Sequence, residues 1–280
     1  MKKILLISII VVFAINYAEA QFYISGTGGY SFAANEKTLG SSTTASGVTD
    51  LEGSYGEGIE VSLRGGYHIH EKWAIELGLG YLHGSDQDVQ SLNIPGASAD
   101  LDARGRAYGA FLAGVYNVTD KFYVKAGILT KIGGRTEANA ELALEVPAQM
   151  VNPDAPDGAT VPLMADFTTD FNGKIPAGIV GAIGYKIPVT DKFNFFAEVE
   201  YMGISVTRDV SNSSDFSASL AGDAIDRATL TSILSTTDLN RLIPLYSESE
   251  VKWGENGLPS SDAPYSSIGI NFGVTYSFDN

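Results

Sequence analysis

Residues 265–278 read YSSIGINFGVTYSF, and how this stretch divides between two faces decides the fold. Successive side chains of an extended strand point oppositely. Ile268, Ile270, Phe272, Val274, Tyr276 and Phe278 therefore share one face, and Gly269, Asn271, Gly273, Thr275 and Ser277 share the other. The first face suits hydrocarbon. The second suits a narrow polar interior.

The same alternation recurs upstream. Phe22 to Phe32 sets Phe22, Ile24, Tyr30 and Phe32 against Ser25, Thr27 and Ser31. Ile59, Val61, Leu63 and Tyr67 alternate with Glu60, Ser62, Arg64 and His68, and Trp73 to Tyr81 repeats the pattern. Three segments share a layout of aromatic, short turn with an acidic-Lys pair, and second aromatic: Tyr67 to Trp73, Tyr116 to Phe122 and Tyr185 to Phe193. They read as tight hairpins. Further strands are expected at about 106–116, 122–131, 174–187 and 193–206, which makes eight with the last one. Eight antiparallel strands with both ends on one side need three connections there and four opposite. The chain supplies three short turns and four long segments, 33–57, 84–103, 132–173 and 207–263. The expected fold is an all-β, eight-stranded antiparallel up-and-down transmembrane barrel. Within the third long segment, 137–147 and 159–171 suggest strands continuing above the membrane as a hairpin; within the fourth, 223–234 suggests a short helix. If such arms crossed the membrane, the barrel would have ten strands.

The ends and the composition agree with export. Lys2 and Lys3 precede an apolar run from Ile4 to Ile15, and Ala18-Glu19-Ala20 offers a small-x-small cleavage site, so residues 1–20 read as a signal peptide and 21–280 as the barrel domain. The run is shorter than the ~20 residues a spanning helix needs. The 280 residues include no cysteine, which excludes disulfides and thiolate metal sites. No later segment is apolar over 18 residues, but a barrel hides its membrane signal by alternation.

The aromatics mark two levels. Phe22, Tyr67, Trp73, Tyr116, Phe122, Tyr185, Phe193 and Phe278 fall outward at the turn end, and Tyr30, Phe32, Tyr81, Tyr108 and Tyr201 outward at the loop end. Girdles of this kind mark the two lipid–water interfaces. With the signal peptide, the long-short rhythm of connections and the terminal strand, the chain resembles the small stand-alone outer-membrane barrels of the OmpA and OmpX kind. That resemblance implies a bacterial outer-membrane location, contact with outer-membrane lipid and lipopolysaccharide, insertion by the barrel-assembly machinery with Phe278 as terminal signal, and a monomer. No peptidoglycan-binding segment follows the last strand, so no cell-wall tether is expected.

Inward positions carry Glu60, Arg64, Glu76, Lys125, Lys131, Glu198 and Glu200. If the first hairpin is symmetric about His70, Arg64 lies opposite Glu76. Such charges either line a water path for ions or small solutes, in a porin-like way, or pair into a plug. The width of an eight-stranded barrel favours the plug, since side chains fill it. His83 beside Asp86 and Asp88 has the residue types of a metal ligand set or a general base. No Gly-x-Ser-x-Gly elbow or His-Glu-x-x-His helix accompanies it. Solvated loop charge is the expected account, and no catalytic, cofactor or metal residue is assigned.

Charge is unevenly placed. The four long segments carry −3, −4, −6 and −5, within a chain of net −15. An acidic exterior disfavours nucleic acid and attracts divalent cations able to bridge to anionic lipopolysaccharide. The expected role is structural or surface-interacting through these loops, with a narrow channel as the alternative and a surface enzyme as the least expected.

Overall fold

The computed structural model describes residues 22–234, 250–255 and 259–278. The signal peptide expected at residues 1–20 lies outside the described residues. In chain order the strands are β1 (Phe22–Ala33), β2 (Lys37–Thr44), β3 (Gly47–Gly53), β4 (Gly58–His70), β5 (Trp73–Gly84), β6 (Gln87–Ile94), β7 (Ala97–Asn117) and β8 (Phe122–Pro147). They are followed by β9 (Thr160–Gly173), β10 (Gly178–Pro188), β11 (Phe193–Gly203), β12 (Ser205–Leu220), β13 (Asp223–Ala224), helix α1 (Arg227–Leu234), β14 (Glu250–Lys252), β15 (Asp262–Pro264) and β16 (Ser267–Ser277).

Eight of these close on themselves. β1 pairs with β4, then β5, β7, β8, β10, β11 and β16 follow in order, and β16 returns to β1, every pair antiparallel. Closure leaves no edge of unpaired backbone, the condition for a sheet to cross hydrocarbon. The ring has eight strands, so the ten-stranded alternative is set aside.

The sorting of faces follows the sequence. Leu63, Leu77, Ile128, Ile183 and Phe272 point outward and stay exposed, while Ser25, Arg64, Glu76, Lys125, Glu198 and Asn271 are buried within the ring. The turn-end girdle is built of cross-strand pairs with ring centroids 4.7–5.0 Å apart: Phe22 with Tyr67, Trp73 with Tyr116, Phe122 with Tyr185, and Phe193 with Tyr276. Each barrel strand supplies one ring. At the loop end Tyr81 pairs with Tyr108 at 4.9 Å and Tyr30 with Phe32 at 5.0 Å.

Two of the three turns are the same device. In Val118–Phe122 and Val189–Phe193, the Thr hydroxyl (Thr119, Thr190) accepts from two backbone N–H groups of the following Lys and Phe, an ST-turn that explains why Val-Thr-Asp-Lys-Phe occurs twice. The first turn differs, because a bulge between His68 and His70 shifts the ladder. Arg64 therefore faces Gly78, and Glu76 faces Gly66. The expectation of Arg64 directly opposite Glu76 is corrected by this extra residue.

The larger correction concerns three of the four long connections. Segments 33–57, 84–103 and 207–263 are not plain loops: β2 and β3 form a hairpin in the first, β6 folds back on β7 in the second, and β12 extends through the start of the last. Segment 132–173 holds the expected hairpin, β8 running 26 residues to Pro147 before returning as β9. β12 then adds to β9. The result is a sheet standing above the barrel and continuous with it through β7 and β8. Alternation explains it: beyond the membrane Ala138, Leu142, Leu144 and Val146 stay on one buried face. Leu142, Leu144 and Val146 pack with Leu163, Phe167, Leu230 and Leu234 into a second core, and Ala138 packs lower down with Tyr55, Leu82 and Tyr265. The expected helix within 223–234 is α1, whose start is capped by Asp226 accepting from Thr229 N–H at 2.8 Å.

The last strand starts two residues later than the alternation from Tyr265 implies. β16 begins at Ser267, and Tyr265 turns inward beneath Tyr55, ring centroids 5.8 Å apart, with its hydroxyl 2.6 Å from Thr136 Oγ1. Tyr265 thus belongs to the mouth of the barrel.

Candidate functional site in the barrel interior

At mid-height the ring encloses five charged side chains from β4, β5, β8 and β11. Arg64 reaches Glu198 at 2.6 Å, Glu200 at 3.5 Å and Glu76 at 4.0 Å. Lys125 reaches Glu200 at 2.7 Å, Glu198 at 3.5 Å and Glu76 at 3.6 Å. Each cation touches all three carboxylates, so the cluster is one network spanning the lumen. Its formal sum is −1. Phe111 flanks it, 4.8 Å from Lys125 Nζ and 5.6 Å from the Arg64 guanidinium carbon, within cation–π range.

Two tyrosines hold the network from the turn side. Tyr23 donates to Glu76 at 3.1 Å and Tyr123 to Glu198 at 2.7 Å. Tyr23 lies over its cross-strand neighbour Gly66, and Tyr123 over Gly184, where a Cβ would strike the ring. Glycine is required at both positions because the ring occupies the space of a side chain. Such pairing of large with small residues is how a narrow barrel is filled.

The remaining inward charges stand apart. Glu60 accepts from Ser31 Oγ at 3.1 Å. Lys131, 9% exposed, has its amine 5.3 Å from the Tyr265 ring. The cluster divides the interior into spaces that share no lining residue: about 190 Å³ on the turn side, beside Tyr23, His68 and Lys186, and about 80 Å³ toward the mouth, beside Glu60, Phe111 and Lys131.

An eight-stranded closed ring, polar within, apolar around its circumference and bounded by aromatic girdles at both ends has one setting that suits both its closed backbone ladder and its apolar belt, a bilayer. The chain is an integral β-barrel of the outer membrane. Phe278, expected as the terminal signal, ends the barrel: its N–H donates to Phe22 O at 3.0 Å and its ring packs on Tyr276 at 5.0 Å.

No family model matches the barrel chain, and no curated protein does. Solved structures similar to it include the attachment invasion locus protein Ail of Yersinia pestis, at 9% identity and TM-score 0.31, covering 93% of this chain and 100% of that one. The outer membrane protein AlkL is similar at 12% identity and TM-score 0.33, covering 94% and 93%. CarO2 of Acinetobacter baumannii is similar at 14% identity and TM-score 0.29, covering 91% and 99%. These superpositions are loose, and the assignment rests on this barrel's own ring, belt and girdles.

His83, expected beside Asp86 and Asp88, is gathered with them into no metal-ligand group among the described residues. His83 stacks near Tyr81 at 6.5 Å, His70 Nδ1 accepts from Lys72 N–H at 3.4 Å, and His68 packs 5.2 Å from Tyr23. Among the described residues no three His, Asp or Glu side chains are gathered as metal ligands. Sequence reading missed a knot at the rim, where Glu137 accepts from Arg104 at 3.0 Å and from Arg135 at 2.8 Å and lies 3.7 Å from Arg106. Partial burial acts to raise the Glu137 carboxyl, but the hydrogen bonds from Arg104 and Arg135 outweigh it and hold it below the usual carboxylate range. The signal was the run Arg104-Gly-Arg106 facing Arg135-Thr-Glu137. It becomes legible only once β7 and β8 are known to pair there.

Proposed function

We propose that the barrel is a closed anchor whose work is done by the acidic sheet it carries outside the membrane, in a structural and surface-interacting role without catalysis. The observation that supports this reading is the Arg64–Lys125–Glu76–Glu198–Glu200 network, in which every cation contacts every carboxylate across the lumen. Opening a water path through it would separate buried charges, at about 3–5 kcal/mol for each pair broken without replacement. The role of the exterior follows from its charge: Asp88 faces Asp102 across the β6–β7 ladder, flanked by Asp86 and Asp100. Divalent cations attracted to that surface would bridge it to lipopolysaccharide phosphates. The partners that go with this reading are outer-membrane lipid, the assembly machinery acting on Phe278, and no second copy.

Planar-bilayer recording of the purified protein tests the closed lumen. The expected trace is silent; a steady conductance replaces this reading with a narrow channel for ions or small solutes. Cosedimentation with lipopolysaccharide vesicles, with and without calcium, tests the surface role, and binding indifferent to chelator would remove the cation bridge.

A further inference from the structure

The exterior of this protein is acidic, yet two cations at the mouth have no carboxylate. Among the described residues Lys131 and Arg208 make no ion pair, and the guanidinium of Arg208 has no hydrogen-bond acceptor, although Lys131 is only 9% exposed. The two other buried cations among the described residues, Arg64 and Lys125, are both paired with carboxylates. Lys131 is buried and Arg208 partly buried without a neutralising partner, which is unfavourable, so the fold holds these two in place by other means.

Arg208 is held by rings. Its guanidinium carbon lies 4.3 Å from the Phe171 centroid and 4.6 Å from that of Trp253, and Trp253 is fixed by its indole N–H donating to Ser211 Oγ at 3.0 Å. Aromatic faces position a guanidinium without neutralising it, and its planar fork remains suited to a carboxylate. Lys131 is likewise set against the Tyr265 ring.

Both cations line one cavity of about 210 Å³ at the mouth, whose other walls are mostly apolar, including Leu39, Val89, Leu101 and Phe171. That volume has room for on the order of seven waters, or for one small molecule. An apolar cavity with a few convergent polar groups is the usual make-up of a ligand site. Glu60 borders the neighbouring space that Lys131 also lines, but makes no ion pair with it.

We infer that the mouth cavity is a binding site for a small organic carboxylate with an apolar body, its carboxylate between Arg208 and Lys131 and its body against Leu39, Leu101 and Phe171. The site lies above the closed network and does not depend on whether the lumen conducts. It goes beyond the anchoring role proposed above.

Benzoate is the probe and benzamide its neutral counterpart. The chain has two tryptophans, so Trp73→Phe leaves Trp253, against which Arg208 packs, as the sole tryptophan. Benzoate is expected to change Trp253 emission saturably and benzamide is not. Calorimetry should show affinity for benzoate falling at least tenfold in Arg208→Gln and in Lys131→Gln, each checked for folding by heat-modifiable migration. Arg208→Lys, keeping the charge, should retain part of the affinity, and Arg104→Gln, at the outer rim, all of it. The site is overturned if benzoate gives no saturable signal, if benzamide binds equally, or if either glutamine variant keeps full affinity while folded.

Discussion

Arg64 and Glu198 stand three strands apart around the ring, on β4 and β11, and meet at 2.6 Å across the lumen. This contact joins opposite walls of the barrel and is shared with Lys125 through Glu198. Removing one partner leaves the others buried and unbalanced. Glu198→Leu is expected to destabilise the barrel by about 3–5 kcal/mol. Urea unfolding in detergent measures it; a loss below about 1 kcal/mol would mean water already screens the cluster.

The tyrosine supports depend on glycine. Gly184→Val should expel the Tyr123 ring and break its bond to Glu198, and Gly66→Val should do the same to Tyr23 and Glu76. Both variants should unfold at lower urea concentration than Gly65→Val, where a Cβ meets nothing within 4 Å. Equal midpoints for all three would show that the rings are free to move.

Lipid exposure gives a third outcome. Leu77 is 58% exposed on the belt, and Leu77→Arg should cost about 2–4 kcal/mol near the midplane. Its inward neighbour is a poor control: a Cβ on Gly78 would strike Phe111, which flanks the ion network. Gly78→Ser is therefore expected to be damaging as well, contrary to what alternation alone implies. Thr27→Ser, inward and hydrogen-bonded to Ser62 at 2.7 Å, is the benign comparison in membrane-insertion assays.

The rim should respond to acid. Because Glu137 is held below the ordinary carboxylate range by Arg104 and Arg135, its ionised form binds more strongly in the folded state. The contribution is complete above the ordinary carboxylate value and is lost as pH falls through the lowered one. Limited proteolysis of the external sheet should therefore quicken in acid below that range, while the barrel stays resistant. Glu137→Gln should quicken it at neutral pH and flatten the pH profile. An unchanged profile would place the acid sensitivity elsewhere.

The barrel was legible because hydrocarbon outside and polar groups inside impose a period of two that the chain cannot hide, and because the repeated turn residues mark where each hairpin reverses. The same period persists in Ala138 to Val146, where it marks the hairpin of β8 and β9, whereas residues 37–53, 87–94 and 208–220 read as connections rich in small and polar residues although they too form strands. Nothing local distinguishes a solvated loop from a strand whose partner lies far along the chain.

The sequence alone thus determined which residues face lipid, how many strands cross and which charges turn inward, since each depends on parity and on nearby turns. Only the tertiary structure decided which charges meet. The bulge at His68 moved Arg64 from Glu76's row to Gly78's, closure of the ring brought Glu198 and Glu200 to it from β11, and folding of the outer arms set Arg208 and Lys131 around one cavity. Arg64 meets Glu198 and Glu200, and Arg208 shares the cavity with Lys131, across 77 to 136 positions of chain, and distance along the chain carries no record of distance across a barrel.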